Sequence, residues 1–215
     1  MTTYITLPFR DRLGKYQKAL DSFIEPFTSY LKSNLNDYVL YIVEQNNTHD
    51  LFNLGRTINI GFDLYKDKMK DDDIFIFHPV DILPIDTNYK FIKTTKICSI
   101  RHSPSGEFYK GLAFLVKDYK NLNGFSNNYW GWGLEDNDMF KRFQINNIIP
   151  DVILNTYVEL VDDGNSNPGE PLYAPLYGDN HKYLKECYTV SGLNNLKYQL
   201  IQKTNYRGIE KFIIE

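Results

Sequence analysis

Tyr38-Val39-Leu40-Tyr41-Ile42-Val43 is a continuous apolar run of strand length ending in Glu44-Gln45, and its flanks decide the fold class. Before it, Leu13, Tyr16, Leu20, Phe23, Ile24, Phe27, Tyr30 and Leu31 recur at three- and four-residue spacing. That is one apolar face of a helix, with Pro26 as an expected kink or break. After it, Leu54, Ile58, Phe62, Tyr65 and Met69 mark a second helical face. Ile5-Thr6-Leu7-Pro8-Phe9 reads as a short strand ahead of the first helix, and Ile74-Phe75-Ile76-Phe77 as a buried strand behind the second. Strand, helix, strand, helix, strand between Ile5 and Phe77 predicts βαβ units and a parallel sheet. Ligands of such sheets sit at the carboxyl ends of the strands, here Phe9-Arg10, Glu44-Gln45 and Val80-Asp81.

The second half is more broken. Apolar stretches lie at Ile97–Ile100 and Leu112–Val116, a Gly/Asn/aromatic loop spans Asn121 to Gly133, and a helix is expected from Leu134 to about Phe143. Residues 162–180, rich in Asp, Asn, Gly and Pro, read as a long loop. Strand-like Tyr198–Lys203 and Lys211–Ile214 end the chain. Neither an internal repeat nor a linker asks for two domains, and 215 residues suit one α/β domain with a proper core.

With 24 basic against 27 acidic side chains, the net charge of −3 argues against bulk electrostatic binding to nucleic acid or anionic membrane. Two cysteines, Cys98 and Cys187, exclude a disulfide scaffold; two thiols are a simpler reading than one bridge. No apolar run approaches the ~20 residues of a bilayer span. Met1-Thr2-Thr3-Tyr4 has neither the charged nor the apolar region of a signal peptide. Abundant Asn, Ile, Lys and Tyr with scarce Ala point to an AT-rich gene. Together these predict a soluble protein of the cytoplasm, or of a host cytoplasm or viral factory.

Two segments can carry chemistry. Asp81 follows a buried strand, where a carboxylate can coordinate a hard divalent cation that in turn holds a diphosphate; on local sequence alone a turn-capping role is the simpler reading. His78 and His181 read more simply as hydrogen-bonded structure than as ligands. The second segment is Asn127-Asn128-Tyr129-Trp130-Gly131-Trp132-Gly133-Leu134-Glu135-Asp136-Asn137-Asp138. It holds both tryptophans, flat surfaces for a sugar face, between glycines that permit φ > 0. Three carboxylates then fall in a first helical turn, where the dipole favours them and one can serve as general base to a hydroxyl. The bland reading is a packed Trp corner before an ordinary acidic helix start. Asp71-Asp72-Asp73 reads as a solvated turn.

The run from Gly124-Phe125-Ser126 to Asp138 resembles the signature G-F-x-N-N-Y-W-G-W-G-x-E-D-D-D of the β1,4-galactosyltransferase family. Other blocks follow in that family's order. Pro8-Phe9-Arg10-Asp11-Arg12 resembles its P-F-R-x-R segment and Tyr41-Ile42-Val43-Glu44-Gln45 its next nucleotide-contacting strand. Phe52-Asn53 through Asn59-Ile60-Gly61-Phe62 resembles F-N-R-x-x-x-x-N-x-G-F, and Phe75 through Asp81 sits where the family has its aspartate-x-aspartate strand. Gly192-Leu193-Asn194-Asn195-Leu196-Lys197-Tyr198-Gln199 resembles G-L-N-S-L-x-Y-Q.

The resemblance implies a single GT-A (Rossmann-like) nucleotide-sugar-binding domain with a mixed central sheet, residues 1–81 forming the nucleotide half and 82–215 the acceptor and catalytic half. It implies an inverting transfer of a hexose from a UDP-sugar to a hydroxyl of a glycan or glycoconjugate. Carried over by position, Phe9, Arg10, Arg12, Asp81, Trp132, Gly133 and Phe108 would bind the donor, and Tyr129, Trp132, Asp136 and Asn137 the acceptor. Asp136 would be the base, with Glu135 organising the site beside it. Mn²⁺ would be held by Asp81. Pro79 replaces the first aspartate of the metal motif, and Val158 to Asp163 carries neither the Met nor the His of the family's downstream ligands; Glu159, Asp162 and Asp163 are the substitutes at hand. Asn137 replaces an acceptor-binding aspartate, and Phe108 lacks the hydroxyl of a Tyr, which leaves galactose, N-acetylhexosamine and glucose open as donor sugars. Leu54 replaces the Arg of F-N-R, with Arg56 two residues on as a partial substitute. The other reading is a degenerate GT-A domain that binds nucleotide-sugar or a partner without turnover; the intact Trp-Gly-Trp-Gly and Glu135-Asp136 favour the enzyme.

Overall fold

In a computed structural model, residues 1–11, 15–46, 51–85, 97–99, 111–131, 133–152, 157–160 and 190–215 of the protein are described. The chain runs β1 (Thr3–Phe9), α1 (Lys15–Asn34), β2 (Tyr38–Gln45), α2 (Leu54–Tyr65), β3 (Ile74–Phe77), β4 (Ile82–Pro84), β5 (Cys98–Ser99), β6 (Leu112–Leu115), α3 (Val116–Asn121), α4 (Glu135–Ile145), β7 (Asp151–Val152), β8 (Tyr157–Glu159), β9 (Leu200–Tyr206) and β10 (Ile209–Ile214). Eight strands form one sheet in the order β7-β5-β6-β3-β1-β2-β10-β9, and β4 pairs with β8 in a separate ribbon.

The expected βαβαβ unit is present: β2 and β3 flank β1 in parallel, Thr3 standing level with Tyr38 on one side and Ile74 on the other. The sheet as a whole is mixed, because β6 runs antiparallel to β3 and β9 antiparallel to β10, while β10 adds to β2 in parallel. A fully buried run such as Leu112-Ala113-Phe114 carries no direction in its pattern, so periodicity alone leaves the polarity of β6 unread.

Every residue of β1 is buried, as a central parallel strand requires. Ile5, Leu7 and Phe9 pack into the layer of α1, whose Leu20, Phe23, Ile24, Phe27 and Leu31 are each at most 2% exposed. Pro26, on the exposed side of α1, does not break the helix. The break it threatens costs about 3 kcal/mol, whereas each of those five side chains contributes about 1.5–3 kcal/mol on burial. The stripe wins. Among the described residues no helix is long and apolar enough to cross a membrane.

On the opposite face, Tyr4, Tyr41 and Val43 pack with α2, α3 and α4. Here α2 lies so near the sheet that a Cβ on Gly61 would stand 2.4 Å from Thr6 Oγ1, while Tyr41 Oη donates to Gly61 O at 2.8 Å. The neighbouring Asn59 is buried and Phe62 sets its ring edge-on against Phe75 at 5.2 Å. The Asn-x-Gly-Phe block is thus packing geometry, one residue per contact. The Asp71-Asp72-Asp73 turn is solvated only in its first two members: Asp73 is buried, its carboxylate accepting from Thr2 N at 2.7 Å and Lys70 N at 2.9 Å. Cys98 is buried on β5, and Cys187, His181 and the 162–180 stretch lie outside the described residues.

α4 is fixed by one buried cation. Arg142 Nε donates to Asp138 Oδ1 at 2.8 Å, both side chains being at most 4% exposed. Its Nη1 donates to the carbonyls of Leu122 and Gly124, each at 3.1 Å, and Nη2 to Ser191 O at 2.6 Å. Burial holds the Asp138 carboxyl above its usual range, and the guanidinium opposes that shift. Arg142→Met should therefore lower the unfolding free energy by about 3–5 kcal/mol, since it leaves a buried carboxylate and three carbonyls without their cation. Urea unfolding measures this; a loss within about 0.5 kcal/mol, the scale of an ordinary surface substitution, would mean that α4 is held otherwise.

Candidate active site

A pocket of ≈190 Å³ opens at the carboxyl ends of β1 and β3. Pro8, Phe9 and Arg10 line it from β1, and Phe77, Pro79, Val80 and Asp81 from the turn after β3. Tyr16 from the first turn of α1, and Phe52 and Leu54 from the entry to α2, complete the wall. Phe9, Arg10 and Asp81, chosen on sequence grounds from distant points of the chain, therefore meet in one cavity. Tyr16 and Phe52 were not chosen: Tyr16 reads in sequence as one more member of a helical core stripe, and Phe52 only as part of a motif.

Local hydrogen bonds aim this wall. Asn53 caps α2, its Oδ1 accepting from Arg56 N at 2.9 Å, and its own N donates to Gln45 Oε1 at 2.8 Å. Arg56 does not reach the pocket. It donates twice to Lys197 O, at 3.1 and 2.7 Å, and to Glu215 O at 3.0 Å, so the guanidinium is occupied by the C-terminal hairpin instead of standing in for Leu54. His78 is fully buried between the β3 end and α1, its ring 4.5 Å from that of Phe27 and its Nδ1 2.8 Å from Pro79 O. Burial drives its pKa down to about 3, so it is a neutral packing residue.

Asp81 is half-buried and lines the pocket; its carbonyl accepts from Leu160 N at 2.7 Å, which ties the turn to the β4–β8 ribbon. Glu159 pairs with Ile82, one register step from Asp81, and is exposed. Among the described residues no three His, Cys, Asp or Glu side chains gather into a cation cage. Asp162 and Asp163 lie outside the described residues. A single pocket carboxylate still fits a hard dication, since such ions take one or two carboxylates and complete their shell from phosphate oxygens and water.

The aromatic loop approaches the same wall. Gly131 N donates to Phe52 O at 2.7 Å, so the Trp-Gly segment is fastened to a pocket residue. Its base is held by Asn127, whose Nδ2 donates to Gly192 O at 2.7 Å and Asn195 Oδ1 at 2.9 Å, while Ser191 Oγ accepts from Asn127 N at 2.9 Å. Tyr129 is 2% exposed. Gly131 and Gly133 have φ of 79° and 90°, the left-handed region expected of them. Trp132, Arg12 and Phe108 lie outside the described residues.

α4 then starts in a strained way. Leu134, its N-cap, has φ 79° and no side-chain cap bond, a conformation that costs a non-glycine residue about 1–3 kcal/mol and marks functional sites. Glu135, Asp136 and Asn137 follow, each half-buried, with Asn137 N donating to Asp136 Oδ1 at 2.8 Å. Burial and the neighbouring Asp136 carboxylate push the Glu135 carboxyl up to about 8. Asp138, the third acid of the turn, is withdrawn into the Arg142 clamp.

Comparison with known proteins supplies the family. Residues 1–93 match the N-terminal region of glycosyl transferase group 7, and residues 101–151 match the companion description, N-terminal domain of galactosyltransferase. β-1,4-Galactosyltransferase 1 of Bos taurus is 27% identical over 225 residues, covering 98% of this chain and 53% of that protein. β-1,4-Galactosyltransferase 6 of Homo sapiens is 32% identical over 211 residues, covering 91% and 52%. The chain thus spans about half the length of the curated relatives it matches. Among solved structures, the catalytic domain of Drosophila β1,4-galactosyltransferase 7 in complex with xylobiose superposes with a TM-score of 0.79 at 21% identity, covering 99% of this chain and 93% of that one. The same enzyme in complex with manganese, UDP-galactose and xylobiose gives 0.75, covering 100% and 94%. With both family segments in chain order and the GT-A fold of these catalytic domains, the chain belongs to glycosyl transferase group 7, the β-1,4-galactosyltransferase family.

Proposed function

We propose that the chain moves a galactose-like hexose from a UDP-sugar to a hydroxyl of a glycan or glycoconjugate, with inversion at the anomeric carbon. The observation that carries this is the strand-end pocket of Phe9, Arg10 and Asp81, fastened through Phe52 to the loop that leads into Glu135-Asp136. The family relatives support the donor and acceptor classes, as does the Drosophila neighbour with manganese, UDP-galactose and xylobiose.

In this reading residues 1–81 hold the nucleotide and 82–215 the acceptor and the chemistry, within one domain. Rings at Phe9 and Phe52 border the base, and Arg10, with Arg12, faces the diphosphate as a charge-matched donor. Asp81, with Asp162, Asp163 or Glu159 to complete the set, would hold Mn²⁺, which supplies charge compensation to the departing diphosphate. By the family resemblance alone, Trp132 and Gly133 would cover the donor and Phe108 would border its 2-substituent. Tyr129, Trp132, Asp136 and Asn137 position the acceptor; Asn137 both donates and accepts, so it suits a different hydroxyl pattern from an aspartate.

Asp136 takes the acceptor hydroxyl's proton as the oxygen forms its bond to the anomeric carbon and the bond to the diphosphate oxygen breaks. Burial and the neighbouring Asp136 charge raise the Glu135 carboxyl, so it holds a proton more readily than an exposed glutamate and leaves Asp136 as the base. Adjacent carboxyls driven apart in this way take separate roles.

Three outcomes are expected. UDP at ~100 times its dissociation constant should add about 2.7 kcal/mol of stability, a rise in Tm of roughly 5–11 °C, larger with Mn²⁺ than after chelation. No rise with UDP or any UDP-sugar under either condition would remove the reading. Asp136→Asn should slow transfer by about 10²–10⁴-fold while sparing UDP affinity; full turnover in that variant would take the base role from Asp136. The Glu135 carboxyl binds its proton more tightly folded than unfolded, so its contribution is complete below about 4.5 and is lost as pH rises through about 8. Wild-type Tm should therefore fall over that window more steeply than that of Glu135→Gln, and parallel curves would contradict the burial of this carboxyl.

A further inference from the structure

We propose that Tyr16 faces the nucleobase in this pocket and supplies a stacking surface for it; the inference rests on reading the pocket as a nucleoside-diphosphate site. Tyr16 begins the apolar stripe of α1. Leu20, Phe23, Ile24, Phe27 and Leu31 are at most 2% exposed, whereas Tyr16 and Tyr30 are half-buried. Of these two half-covered rings, Tyr16 is the one that borders the cavity. This one presents apolar surface to a cavity that also contains Phe52, Arg10 and Asp81. Two opposite charges suit a phosphate and its counter-ion, and a planar ring suits a planar base.

The turn that carries the ring is held from both sides. Asp11 Oδ1 accepts from Gln17 N at 3.0 Å, which fixes the first turn of α1 to the residue after Arg10. Gln17 Nε2 donates to Tyr206 Oη at 3.0 Å and to Asp21 Oδ1 at 3.2 Å, and Tyr206 Oη donates to Asp21. The β9 strand thus braces the turn that carries Tyr16, so the backbone from which the ring projects is fixed before a ligand arrives.

The test is calorimetric titration of the full chain with UDP, ADP and inorganic pyrophosphate, for wild type, Tyr16→Phe and Tyr16→Leu, with Tm measured for each. Tyr16→Leu keeps the apolar bulk of the stripe and removes the ring; it should weaken UDP about tenfold, the scale of one base–aromatic stack, and weaken any ADP binding comparably. Pyrophosphate affinity should not change, and Tyr16→Phe should behave as wild type. Unchanged UDP affinity in Tyr16→Leu at native Tm would overturn the proposal. An equal loss for all three ligands with a lowered Tm would also overturn it, in favour of a packing role. Wild type that binds none of the three would sink the nucleotide reading of the pocket itself, and this inference with it.

Discussion

The side-chain amide of Asn59, fully buried on α2, satisfies all four of its hydrogen-bonding positions inside the protein. Its Oδ1 accepts from Tyr119 Oη at 2.6 Å and Phe125 N at 2.9 Å, and its Nδ2 donates to Phe125 O at 2.7 Å and Asn127 Oδ1 at 2.8 Å. One side chain therefore joins α2, α3 and the loop that precedes the candidate catalytic turn. Removing it would leave several buried polar groups without partners, each costing about 1–3 kcal/mol. Gly124 makes the join possible: its φ is 61°, and a Cβ there would sit 2.3 Å from Asn59 Oδ1.

From that joint the constraint passes outward in two directions. Asn53, the N-cap of the same helix, donates from Nδ2 to Asn127 O at 2.8 Å and receives its own place from Gln45 at the end of β2. Asn127 in turn holds the 3-10 turn at Leu193–Asn195, and Arg142 draws in Ser191 beside it. Two clusters of motif residues that look like binding machinery are thus a scaffold. They set the depth at which Gly131 meets Phe52 and the angle at which α4 starts. The strain at Leu134 lies where this scaffold ends, so the site's least relaxed backbone is anchored by its most fully hydrogen-bonded neighbours.

Elements with a strong period were readable in sequence: α1, α2 and the strands that alternate with them. The polarity of β6 and the ribbon of β4 with β8 were not, because runs of two to four residues carry neither direction nor register. In the site, Phe9, Arg10 and Asp81 were readable through the strand-end rule and the family resemblance together. Asp138 was grouped with the acids of the first turn, although Arg142 four residues on is the signal of a helix-face ion pair. Tyr16 escaped for the opposite reason. Its spacing is correct for the core stripe, and only the cavity it shares with Pro79 and Phe52 sets that position apart.

The departures from the family pattern have an electrostatic consequence that the pocket makes visible. Leu54 and Pro79 stand where the pattern has a cation and an anion, and both line the same cavity. Among the described lining residues one cation, Arg10, and one anion, Asp81, remain. Arg56 adds nothing, because its guanidinium is spent on the carbonyls of Lys197 and Glu215. Loss of one charge of each sign leaves the balance of the wall unchanged while lowering its polarity. A diphosphate entering such a wall meets little net attraction from these residues alone, and at an effective dielectric of about 20 an unmatched charge at 4 Å is worth about 4 kcal/mol. Under the proposed nucleotide reading, the counter-charge would have to come from elements beyond this wall or arrive with the ligand, and the apolar rings that dominate the lining would carry more of the contact to the base than to the phosphates.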